Sequence, residues 1–207
     1  MRKGLQTWQF WLPLAGATLV LPLLDFGLWG LLFSVINWIA LVVLAMGTGN
    51  MRQDAPGFSK AAALLFLTAI LSAAAYALNK VGFSGNEDPK LLIVFFILMF
   101  LPLLFSVAVY LTVAAVANSD LFENVDYADK AKTHARVLPF ATTLVCWAIM
   151  LVDANLPDNK ELILALVVGG VGLVWMLTML VASDLGTLET LAYGRKKRTR
   201  KKEKKDG

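Results

Sequence analysis

The chain has 207 residues, a net charge of +4, 58% hydrophobic residues and only 16% charged ones. Soluble domains carry about 45–50% apolar and about 25% charged residues, so this composition excludes an ordinary water-soluble core: the polar surface needed to cover it is missing. One cysteine, Cys146, and one histidine, His134, exclude an internal disulfide and argue against a zinc centre or a haem held by two histidines.

Arg2 and Lys3 precede the first apolar stretch, and Ala15-Gly16-Ala17 looks like a signal-peptidase site. The apolar run continues past it to Leu24, whereas signal h-regions are about 7–15 residues long and end at cleavage. The reading is a retained first helix. About 20 apolar residues cross a hydrocarbon core of about 30 Å. The region 8–47 has room for two spans and a single charged residue, Asp25. Asp25-Phe26-Gly27 and Gly30 supply turn chemistry at that break, which predicts a helical hairpin of spans 8–24 and 28–47. Trp8, Trp11 and Trp29 fall near span ends, as an aromatic belt would. Trp38 falls deeper. Asn37 sits mid-span with Ser34 one turn away, an intramembrane polar pair expected to bond a neighbouring helix, with a substrate contact as the sharper alternative.

The third span is predicted at 61–78. Ala69, Ala73 and Ala77 form a small-residue stripe at intervals of four, the pattern that lets membrane helices pack closely. The next loop holds Gly82-Phe83-Ser84-Gly85, which resembles the short serine motif of rhomboid proteases, also six-span proteins. His134 falls on the opposite side of the membrane, so no dyad forms, and the glycines read as a turn. The fourth span, 91–117, has 27 residues, about 40 Å of helix. It must tilt or bend, and Pro102, lacking an N–H, is the expected kink.

The loop 118–136 contains Asp120 and Glu123 in a capping-box-like start, apolar residues at helical spacing, and Asp126 four residues before Lys130. A short amphipathic helix on the cytoplasmic face is expected. Asp126 and Asp129 share a face, as metal-holding carboxylates would, and the loop faintly resembles those of membrane prenyltransferases and phospholipid headgroup transferases. It departs from the transferases at Lys130, where they carry glycine, and at 138–150, where their further aspartates are missing. The prenyltransferases' second aspartate-rich loop is missing too. A solvated helix face is the preferred reading of these carboxylates.

The fifth and sixth spans are predicted at 137–152 and 162–182. Ala165 and Gly169 share a face of the sixth, followed by Gly170 and Gly172. No ionisable residue falls near the middle of any predicted span, which lowers the case for proton relays and ion-coupled carriers. Asp25, Asp153 and Asp184 are placed at span ends. The segment 185–207 is read as an interfacial stretch lined by Leu185, Leu188 and Leu191, then a disordered basic tail. Arg195, Lys196, Lys197, Arg198, Arg200, Lys201, Lys202, Lys204 and Lys205 carry its charge, and no apolar residue is present to fold it.

Placing the loops alternately puts sixteen of the 19 Lys and Arg on one side. Positive residues stay cytoplasmic, so both termini are expected inside, in the plasma or inner membrane of a bacterium. The expectation is therefore an all-α, six-transmembrane helix bundle over 1–184 with a cytoplasmic tail. The favoured function is a subunit, scaffold or assembly factor of a membrane complex. Its tail would contact anionic membrane lipids, an acidic protein, RNA or the ribosome. The first alternative is a small-solute or lipid transporter, or its substrate-binding subunit; size and span count resemble the substrate-capturing components of vitamin importers. The second is a metal-dependent membrane enzyme acting on lipid. No cofactor is expected.

Overall fold

A computed structural model describes residues 1–20, 28–55, 57–81, 89–119, 127–155 and 159–203. They form six helices and no strand: α1 (Arg2–Val20), α2 (Leu28–Gly49), α3 (Gly57–Val81), α4 (Pro89–Ala117), α5 (Tyr127–Asn155) and α6 (Lys160–Glu203). In lipid no water is available to bond backbone N–H and C=O groups, so an apolar chain satisfies them within helices. Buried hydroxyls follow the same logic. Thr18, Ser34, Thr48, Thr68, Thr112, Thr142 and Thr178 each donate to the carbonyl four residues back, at 2.7–2.9 Å, so a polar side chain enters the core already satisfied.

α2 to α6 are long and apolar enough to cross a membrane, five helices in all, consistent with a multi-pass integral membrane protein. α1 is also helical over its 19 residues but is not among those five. Arg2, Lys3, Gln6 and Gln9 lower its apolarity at one end.

Each helix packs along the next in sequence, and α1 closes the circuit by packing along α6. The neighbours run antiparallel, and glycines set several seams. A Cβ on Gly4 would lie 2.6 Å from the Met51 side chain, one on Gly16 2.5 Å from Thr178, one on Gly57 2.9 Å from Ala115, and one on Gly170 2.5 Å from Val145. Only a hydrogen fits there, so the backbones approach closely, as dispersion-driven packing in lipid requires. The core they enclose includes Leu5, Trp8, Leu12, Leu41, Leu44, Phe58, Leu65, Phe105 and Leu138.

Several expectations change. Trp8 is fully buried and its indole N–H donates to Thr48 at 2.9 Å; it is a core residue, not part of an aromatic belt. The position of a tryptophan near a span end does not reveal which way it faces, and here it faces α2. The separate amphipathic helix of the fourth loop is also replaced. Residues 127–136 are the opening turns of α5, continuous with its span, because Ala128, Ala131 and Ala135 bury against the bundle. Residues 120–126, including Asp126, lie outside the described residues, as do Asp25 and the serine motif at 82–85.

The basic tail differs most. α6 has 44 residues and continues to Glu203, so the segment 195–203 extends a helix where disorder was expected. A helix already nucleated adds residues without a second nucleation cost. Lys and Arg are good helix formers, and cations are favoured near a helix C-terminus. Leu185 and Leu188, expected at an interface, lie in the core, while Leu191 is exposed.

Candidate functional site

Polar side chains gather where α1 and α5 begin and α6 leaves the bundle. Glu189 is almost fully buried, at 8% exposure. Arg2 Nε lies 3.0 Å from its Oε1, Gln6 Nε2 donates to Oε1 at 3.2 Å, and Gln9 Nε2 donates to Oε2 at 2.8 Å. Positions 2, 6 and 9 are spaced four and three apart, so one face of α1 presents all three. Asp184 is 2% exposed. The Tyr127 hydroxyl donates to its Oδ1 and His134 Nδ1 lies against its Oδ2, both at 2.7 Å. A carboxylate only accepts, so Nδ1–H of His134 is the donor. Tyr127 and His134 are seven apart, two turns along one face of α5.

Five residues separate Asp184 from Glu189, which rotates them by about 140° around α6 at about 100° per residue. One carboxylate therefore faces α5 and the other α1. Buried carboxylates are tolerated when hydrogen bonds fill their lone pairs; both accept such bonds, and Glu189 also has the Arg2 guanidinium beside it.

Beside Glu189 an open groove of about 640 Å³ runs along the α1–α6 seam, lined by Gln9, Met179, Ala182, Ser183, Gly186, Thr187, Glu189, Thr190 and Leu191. A Cβ on Gly186 would meet the Gln9 amide at 3.4 Å, an ordinary van der Waals contact, so this position packs against Gln9 without requiring glycine. Thr187 and Thr190 donate to their own helix carbonyls, leaving their oxygens as acceptors.

The other residues singled out in the sequence are dispersed. Asn37 is fully buried; its Nδ2 donates to Ala15 O and Thr18 Oγ1 of α1, both at 3.2 Å, and its Oδ1 has no partner among the described residues. Ser34 is occupied by Gly30 O at 2.8 Å. Pro102 sits inside a continuous α4. Its missing N–H disturbs the ladder there, and Trp147 of α5 donates to the nearby Met99 carbonyl at 3.0 Å. Ser106 and Thr142 bond each other across the α4–α5 seam. Asp129 is solvent-exposed and pairs with Lys132 at 3.3 Å. Among the described residues no group of three or more His, Cys, Asp or Glu could hold a metal.

Ala69 is buried, Ala73 half-buried and Ala77 exposed, so that stripe turns from core to surface along α3. Ala165, Gly169 and Gly172 on α6 behave differently. Ala165 and Gly169 are exposed, and a Cβ on Gly169 or Gly172 would meet nothing within 4 Å. Of Arg195 to Glu203 only the backbone is described, and Lys204 and Lys205 lie outside the described residues.

Sequence reasoning missed Gln6, Gln9, Glu189 and the joining of Tyr127 and His134 to Asp184. A partial signal existed for the first three: positions 2, 6 and 9 share one face of α1, so a single carboxylate on a neighbouring helix can collect all three, although Arg2 and Gln6 remain exposed. His134 is partly sheltered because its ring reaches across to Asp184 of α6.

No protein family, curated protein or solved structure matches the chain.

Proposed function

We propose that the chain is a six-span membrane protein with both termini in the cytoplasm, acting as a subunit or scaffold of a membrane complex. The observation that carries this reading is the uncovered face of α6. The glycines at the helix seams are filled by neighbours, whereas Gly169 and Gly172 meet nothing. They lie within the apolar part of α6, beside exposed Ala165 and Val168. Small residues facing outward let a second membrane helix approach closely, and lipid gains little from them.

Two further features support the topology. α1 has 19 residues and packs antiparallel against α2 and α6, which supports counting it as a sixth span. Its start meets the end of the bundle carrying Arg52, Lys60, Lys130, Lys132 and Arg136, and cations mark the cytoplasmic side. The basic extension of α6 leaves from that same end. It is suited to anionic lipid, where each basic residue near the leaflet contributes about 1 kcal/mol.

The test is site-specific photo-crosslinking in cells from positions 169 and 172, with exposed Phe140 on α5 as the comparison site. The reading predicts a discrete adduct with a membrane protein from 169 and 172, lost in Ala165→Leu. Lipid adducts alone from all three positions contradict it.

A further inference from the structure

We propose that the groove on the α1–α6 seam holds one phospholipid with a primary-ammonium headgroup, phosphatidylethanolamine, in the cytoplasmic leaflet; the inference rests on the membrane placement above. The lining changes chemistry in a fixed order along α6. Met179 and Ala182 line the end nearer the middle of the helix, and exposed Met176 continues that apolar track. Ser183 follows. It is exposed, and its hydroxyl has no partner among the described residues, so its proton is free to be donated. Thr187 and Thr190 lie about 6 Å and about 10 Å further along the axis, at about 1.5 Å per residue. Their protons are committed to Ser183 O and Gly186 O, so each offers lone pairs only. Across the seam, Gln9 turns its NH2 to Glu189 and adds its amide carbonyl as an acceptor.

An apolar track, a donor and then acceptors is also the order of acyl chain, phosphate and ammonium in this lipid. The apolar stretch of α6 stops at Leu191, so the donor and the acceptors fall where hydrocarbon gives way to headgroups. An acyl chain along Met176 and Met179 brings its phosphate to Ser183 and its ammonium to Thr187 and Thr190. Concave sites of this kind pair an apolar body with a few polar groups. Charge then selects among headgroups. The lining holds no Lys or Arg, and its one acid, Glu189, is paired with Arg2. A net anionic headgroup therefore meets no cation in the lining. Hydrogen bonding selects among zwitterions. A primary ammonium has three N–H groups to give to the acceptors, in charge-assisted bonds, and the trimethylammonium of phosphatidylcholine has none.

The test uses the full-length protein in detergent, offered equal amounts of phosphatidylethanolamine, phosphatidylcholine and phosphatidylglycerol with identical acyl chains and read by native mass spectrometry. The wild type is expected to retain one phosphatidylethanolamine in preference to both others. Thr187→Val combined with Thr190→Val keeps the groove's shape and removes two acceptors; Ser183→Phe blocks the groove from an exposed position. Both variants should lose the bound lipid by at least about tenfold with unchanged thermal unfolding. Thr133→Val, at an exposed threonine of α5 that also donates to its own helix, should keep it. Equal retention of phosphatidylethanolamine and phosphatidylcholine, a preference for phosphatidylglycerol, or valine variants that bind as the wild type does overturns the proposal. Equal loss in Thr133→Val also overturns it, by making the effect one of interfacial threonines in general. A wild type that stays dissolved without detergent defeats the membrane placement itself, whereas an integral protein without lipid preference defeats only the groove.

Discussion

At the scale of single residues, Asp184 concentrates the risk in this protein. It is buried and accepts from Tyr127 and His134, so removing its carboxylate strands two donors at once. Leaving a buried donor unsatisfied costs about 1–3 kcal/mol. Asp184→Leu should lower the thermal midpoint in detergent clearly more than Tyr127→Phe, which removes a donor and leaves the carboxylate still bonded to His134. Equal shifts in the two variants would mean the His134 contact contributes nothing. The sequence shows why this hub escaped notice: an aspartate two residues beyond the predicted span 162–182 reads as a charge at a span end. Burial is decided by α5 crossing beside it, and no spacing within α6 reports that.

At the scale of elements, adjacent glycines on α6 should respond oppositely. Gly170 lies against Val145, whereas Gly169 faces open space. Gly170→Val inserts atoms where none fit and should destabilise the bundle by about 1–3 kcal/mol, the usual cost of overpacking. Gly169→Val should leave the unfolding midpoint of the isolated protein unchanged and act only on partner contacts. Thermal unfolding of both variants in one detergent checks this. The extended α6 gives a second prediction at this scale: deleting 195–207 should reduce total helix content by far-UV circular dichroism, by about nine residues' worth. No change would mean that this stretch is not helical in solution. The helices themselves were legible because long apolar runs between charged loops leave the backbone no alternative in lipid. The helical tail was not, because absence of apolar residues argues against independent folding and says nothing about extension from a helix already formed.

At the scale of the whole molecule, the closed circuit from α1 to α6 is the feature that local pattern could not supply. Apolar periodicity places helices but not their neighbours, and the contact that closes the circuit joins Arg2, Gln6 and Gln9 to Glu189, some 180 residues away. That closure puts the start of α1 and the exit of α6 at one end, and it is what makes a sixth span and a shared cytoplasmic side the reading adopted here. The decisive measurement is the labelling of single cysteines by a membrane-impermeant maleimide in intact cells and in inverted vesicles, with Cys146→Ala as background. Cysteines replacing Lys3, Lys130 and Lys202 should react only in inverted vesicles, and those replacing Lys90 and Lys160 only in intact cells. Labelling of positions 3 and 202 from opposite sides would contradict the account.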